Sequence, residues 1–237
     1  MWAMRADRVA GITLVLLPIL IIASFLIGAE NGEYDPFERS DTVALLEVYS
    51  DHARLFSVSL AAIIFIDAIW IPIVAGMLYI SFRDRSQPIA LLGTTGILLS
   101  TALFLAHDAT VMTLPWLAAD FTDEGGPAGI EAGSEVILMA ARTVNLLQAS
   151  LALCALTVMG LALTAFGALW VWGPSGRRNP PRLLGVVALG GGVGYLCTWT
   201  FLVNHTVGGA ITLMAELAVL VSFAWLGIWF LRQGAQE

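Results

Sequence analysis

Residues 55–82 read LFSVSLAAIIFIDAIWIPIVAGMLYISF, a run of 28 positions with one charged side chain, Asp67. The hydrocarbon core of a bilayer is about 30 Å thick and takes roughly 20 apolar residues to cross as a helix. In lipid only a helix or a closed barrel satisfies every backbone polar group. This run is too long for a barrel strand and lacks its alternation of apolar and polar residues. It predicts a transmembrane helix. Five further runs meet the same demand, at about 9–28, 88–109, 143–172, 183–203 and 207–231. The fold class expected is therefore all-α, a polytopic membrane helical bundle with six transmembrane helices in a single membrane domain, 1–237. Composition agrees: 58% of residues are hydrophobic and 12% charged, against about 25% charged in a soluble domain.

The first run reads as a retained span. Arg5 and Arg8 flank it like a signal peptide, but its apolar stretch exceeds the usual signal core, and Ile27-Gly28-Ala29-Glu30 is a poor cleavage site.

Charge sets the orientation. Cytoplasmic loops collect arginine and lysine. Arg5 and Arg8 precede the first span, Arg83 and Arg85 follow the second, Arg177, Arg178 and Arg182 separate the fourth from the fifth, and Arg232 follows the sixth. With six spans all four places fall on one side, which puts both termini in the cytoplasm. The opposite side receives Glu30, Glu33, Asp35, Glu38, Asp41, Glu47 and Asp51, then Asp120, Asp123, Glu124, Glu131 and Glu135. Phe82, Trp170, Trp172 and Trp229 mark the inner interface, Trp116 and Trp199 the outer one. The arginine-rich side is expected to face the cytoplasm.

All eleven basic residues are arginine. Without lysine there is no retinal Schiff base and no lysine nucleophile. The net charge of −7 does not suggest nucleic acid. Cys154 and Cys197 fall within spans without C-x-x-C spacing and read as packing thiols. No Walker motif and no G-x-S-x-G motif is present.

The outer loops are expected at 29–54 and 115–134. Residues 40–54 predict an amphipathic helix, with Val43, Leu46, Tyr49 and Ala53 on one face and Glu47, Asp51 and Arg54 on the other. It either lies on the membrane or extends the second span. Gly125-Gly126-Pro127 and Gly129 make 117–134 irregular. The fourth helical pattern runs from about 134 to 172, roughly 57 Å, so its first turns stand above the bilayer. In the fifth span Gly190 and Gly194 form a small-xxx-small pair suited to close helix packing.

Ionisable groups inside a span are costly and tend to mark function. Counted from the inner boundary, Asp67 lies roughly 7 Å and Glu216 about 9 Å below the outer surface. His107 and Asp108 end the third span, His205 opens the sixth, and Asn145 and Gln148 top the fourth with Arg142 one turn higher. His205 and Glu216 are eleven apart and share a helix face. These eight residues are the ligand-pocket candidates, with Arg142 as partner for Glu216, Asp67 or Asp108. The bland alternative is a polar network that merely joins helices, favoured for Arg142, Asn145 and Gln148. His52, His107 and His205 are the only histidines, all on the predicted outer side. Three imidazoles suit Zn²⁺ with an open position, and two suit a haem, but the spacing is no metal signature.

Several stretches resemble a bacterial family of six-span proteins called domain of unknown function 4386. They are Arg8-Val9-Ala10-Gly11-Ile12, His52-Ala53-Arg54-Leu55-Phe56-Ser57, Leu184-Gly185-Val186-Val187, Gly192-Val193-Gly194-Tyr195-Leu196, Ala215-Glu216-Leu217, and Trp225-Leu226 with Trp229. The resemblance implies six spans and a bacterial origin, and it implies no activity. It places Glu216 and Arg54 where such sequences often carry the same residue type.

The leading expectation is an outer-leaflet polar pocket that binds a small or lipidic ligand. A metal-dependent membrane hydrolase using the outer histidines is one alternative. A non-catalytic subunit, with partners in a larger membrane complex, is another. A transporter is weakened because the polar residues stop short of the inner side and no inverted repeat is evident.

Overall fold

A computed structural model describes residues 2–28, 39–51, 53–123, 132–173, 180–202 and 204–236. Most of the first outer loop, His52, the Gly125–Gly129 stretch, Arg177 and Arg178 lie outside the described residues, as do the side chains of Arg54 and His205. The described elements are helical: α1 (Trp2–Gly28), α2 (Arg39–Asp51), α3 (Ala53–Phe65), a π-helical turn (Ile66–Trp70), α4 (Ile71–Phe82), α5 (Gln87–Val111), α6 (Leu114–Asp123), α7 (Ala132–Trp172), α8 (Arg182–Leu196), a 3-10 turn (Thr198–Leu202) and α9 (His205–Gln236). Five helical stretches are long and apolar enough to cross a membrane: Phe56–Phe82, Gln87–Thr122, Glu135–Trp172, Arg182–Thr200 and Thr206–Gln233. The first helix contributes a shorter apolar stretch, Arg8–Ala23.

The contacts divide the chain into two compact units. The first comprises Met1–Ile21, Ile66–Ala102 and Leu153–Glu237; the second, Ile22–Phe65 and Leu103–Ala152.

In the first unit six helices close a ring. The indole N–H of Trp70 donates to the Thr13 carbonyl at 3.1 Å, tying the second run to α1. Thr94 Oγ1 donates to the Ala75 carbonyl at 3.5 Å, tying α5 to α4. Ser100 Oγ donates to the Ala155 carbonyl at 2.8 Å, tying α5 to α7. Glycines make the remaining three seams, because without a Cβ two backbones can touch. A Cβ at Gly160 of α7 would lie 2.7 Å from the Gly192 carbonyl of α8. One at Gly194 would lie 2.8 Å from the Ala215 Cβ of α9. One at Gly227 of α9 would lie 2.8 Å from the Gly11 carbonyl of α1. Gly190, half of the pair expected from sequence, meets nothing within 4 Å; Gly192 takes its place as a packing residue.

The ring is filled by apolar side chains. Phe82 of α4 lies between Trp170 of α7 at 5.5 Å, Phe166 at 6.2 Å and Phe230 of α9 at 6.3 Å, ring centre to ring centre. Buried hydroxyls return to carbonyls of their own helix: Thr13 to Val9, Thr101 to Ile97 and Ser222 to Ala218. That is how serine and threonine tolerate an apolar interior. The Arg83–Ser86 turn joins α4 to α5. There Arg85 lays its guanidinium over the Phe82 ring, 5.3 Å from its centre, and partial burial draws its pKa below the usual arginine value.

The fifth run is not a single α-helix over 183–203. α8 ends at Leu196, and the chain tightens into the 3-10 turn, with Thr198 Oγ1 donating to the Tyr195 carbonyl at 2.7 Å. The second run changes pitch as well. The π-helical turn, Ile66–Trp70, precedes Pro72, whose missing N–H leaves the Ala68 carbonyl without its usual donor. A π turn holds an extra residue and so re-aims the side chains beyond it.

The second unit is built on α2 and α6. Leu46 and Tyr49 of α2 are buried with Leu114, Ala118 and Phe121 of α6, and Thr122 Oγ1 donates to Ser50 Oγ at 3.2 Å. The expected apolar stripe of α2 thus faces protein. Helix continues through Asp123, where the sequence suggested irregular chain, because Leu114, Ala118 and Phe121 recur at helical spacing. Pro115 sits in its first turn, where a missing N–H costs nothing.

Candidate functional site

The candidates fall in both units. Asp67 and Glu216 belong to the first, as does the backbone of His205; His107, Asp108, Arg142, Asn145 and Gln148 belong to the second.

Asp67 stands in the π-helical turn and is 7% exposed. A carboxyl at such depth in an apolar helix is expensive, and a π turn inside a span is often a functional mark. Glu216 lies on α9 next to Ala215, the residue against which Gly194 of α8 packs, and is half-buried. Tyr195 of α8 is buried against α7. Sequence reasoning missed Tyr195. Its signal was a lone tyrosine in an apolar span beside a glycine run, which the glycines overshadowed. Asn204 Oδ1 accepts the Val207 N–H at 3.0 Å and caps the start of α9, so His205 occupies the first turn of that helix.

In the second unit the third run ends on a defined pair. His107 Nδ1 lies 3.0 Å from Asp108 Oδ1. The Asp108 side chain is 4% exposed and the His107 side chain 25%. Asp108 Oδ2 has no hydrogen-bond partner among the described residues. Phe104, one turn earlier, meets the imidazole edge-on with ring centres 6.5 Å apart. Asn145 is buried and its Oδ1 accepts from Gln148 Nε2, so these two satisfy each other across one turn of α7. Arg142 is exposed on α7. The described partner of Asp108 is its neighbour His107.

For a metal, His107 is the one histidine whose side chain is described. Among the described residues no group of three or more His, Cys, Asp or Glu side chains is placed to hold an ion. Cys154 and Cys197 are free thiols, and both are exposed.

The family profile for Domain of unknown function (DUF4386) matches residues 9–234. The chain belongs to that family. The match takes in all six apolar runs and both acidic loops. No curated protein and no solved structure matches the chain. The family's description names no reaction, so the chemistry of this DUF4386 protein rests on its own residues.

Proposed function

We propose that this integral membrane protein binds a small or lipidic ligand at a polar site in the outer half of its helical bundle. All six apolar runs cross the bilayer, with both termini in the cytoplasm of a bacterium. The packing of α1 supports the sixth crossing, since its backbone meets both α9 and the second run. The observation that carries the ligand reading is Asp108, a carboxyl buried in an apolar helix with one oxygen lacking a hydrogen-bond donor among the described residues. Buried polar groups are nearly always paired, and an exception calls for an explanation such as a bound ligand. Asp67 and Glu216 supply further carboxyls to the same half of the membrane by sequence count.

The test is native mass spectrometry of protein extracted from its own membranes. A small or lipidic species should remain on the wild type, and its occupancy should fall in Asp108→Asn. Retention that this substitution leaves unchanged rejects the reading.

A metal-dependent hydrolase is the second reading, favoured by one contact. A carboxylate oxygen on imidazole Nδ1 is the arrangement that orients a histidine to use Nε2 as ligand or base. Zinc would be the metal, and haem is the other cofactor that a histidine so oriented suits. Elemental analysis and a visible absorbance spectrum of purified protein decide it: substoichiometric zinc and no haem band end this reading.

A further inference from the structure

One end of the first unit gathers arginines. Phe82 of α4 meets Phe230 of α9, and Gly11 of α1 meets Leu231 of α9. Arg8, Arg83, Arg85 and Arg232 therefore share that end. Arg83 pairs with Asp84 at 3.7 Å, and the side chains of Asp7 and Glu237 lie outside the described residues. Arg8 and Arg232 stand side by side. A Cβ at Gly11 would lie 2.6 Å from Leu231 Cγ and 2.9 Å from the Gly227 carbonyl, and one at Gly227 would lie 2.8 Å from Val15 Cγ2. So α1 and α9 run antiparallel with their backbones in contact. Arg8 precedes Gly11 by about one turn, and Arg232 follows Leu231 directly. The two guanidiniums thus leave touching helices at one level, and both residues are exposed.

An exposed apolar stripe continues from each arginine. Ile12 and Ile19 of α1 lie four and eleven residues from Arg8, on its own helix face, and both are exposed. Ile228 and Val221 of α9 lie four and eleven residues from Arg232 and are exposed too. Stripes of this kind suit acyl chains, and arginines at their ends reach the headgroup level. Two like charges at one level repel, and an oxyanion between them replaces repulsion by attraction. A guanidinium keeps its charge and offers paired N–H donors that match phosphate oxygens. A zwitterionic headgroup brings its own cation into this positive field and gains less. A free phosphate suits the arginines but makes no use of the apolar stripes. We propose that Arg8 and Arg232 hold the phosphodiester of an anionic phospholipid, whose acyl chains lie along the exposed stripes of α1 and α9.

The full chain is reconstituted in nanodiscs of phosphatidylcholine and phosphatidylglycerol in equal amounts, with matched acyl chains, and the retained lipid is read by native mass spectrometry. Wild type should retain phosphatidylglycerol over phosphatidylcholine by about tenfold or more, the scale of two arginines at a charged membrane surface. Arg8→Gln and Arg232→Gln should each weaken that preference, and the double variant should abolish it. Arg182→Gln removes the same charge from α8, away from the α1–α9 seam, and should leave most of the preference. Equal retention of the two lipids by wild type overturns the proposal, and so does a preference that survives in the double variant. Equal losses in Arg182→Gln and Arg232→Gln overturn it as well, since a diffuse positive end would then suffice. Excess inorganic phosphate should not displace the phosphatidylglycerol; displacement would assign the arginines to a water-borne oxyanion and overturn the lipid. The lipid comparison is made on wild-type protein, so it stands even if a variant fails to fold.

Discussion

Gly160 and Gly192 meet so closely that each carbonyl occupies the space of the other's absent Cβ: 2.7 Å from Gly160 to the Gly192 oxygen, and 2.8 Å in return. A side chain at either position must push α7 and α8 apart. Overpacking of this kind costs about 1–3 kcal/mol or more. Gly192→Leu should therefore lower the unfolding midpoint of the detergent-solubilised protein. Gly190→Leu should change it by less than about 0.5 kcal/mol, since nothing lies within 4 Å. Equal effects at the two positions would contradict the α7–α8 seam.

Ser100 carries the hydrogen bond that joins α5 to α7, and its side chain is buried. Thr101, next to it, donates to its own helix at Ile97. Interhelical side-chain bonds in membranes contribute about 0.6 kcal/mol on average. Ser100→Ala should destabilise by about that amount, while Thr101→Val should be near neutral because it breaks no bond between helices. Reversible unfolding in mixed micelles has the precision to separate them.

The membrane class was legible because composition and run length suffice for it: no arrangement other than a helix satisfies the backbone of a run like 55–82 inside lipid. The overlong fourth helix was legible for the same reason, and Ala132–Trp172 follows the pattern read from about 134 to 172. Facing was harder. Periodicity marked Gly190 and Gly194 as a pair, but which face of α8 meets a neighbour depends on what α7 and α9 present there, and that sets Gly192 against Gly160. The site shows the same division. His107 and Asp108 were singled out as costly groups, yet their pairing depends on side-chain rotamers that spacing does not encode. Arg142, for which reaching water was the favoured reading, is exposed on α7.

Sidedness is the next expectation to check. Asp84 lies in the exposed turn between α4 and α5, and Asp120 is exposed on α6. With Cys154 and Cys197 replaced, Asp84→Cys should resist a membrane-impermeant thiol reagent in intact cells and react once they are opened. Asp120→Cys should react in intact cells. The reverse pattern would invert the arginine-based orientation and move the candidate site to the cytoplasmic half.

Leu46 tests whether α2 belongs to the protein or to the membrane surface. Its side chain is fully buried with Tyr49, Leu114, Ala118 and Phe121. Leu46→Ala removes three buried carbons, and such truncations cost about 2–5 kcal/mol where the surroundings do not collapse. The loss should appear locally, as faster amide hydrogen exchange in both α2 and α6, because the two helices share this core. A helix that merely lay on lipid would lose protection alone and leave α6 unchanged, and that result would reject the packing of α2 on α6.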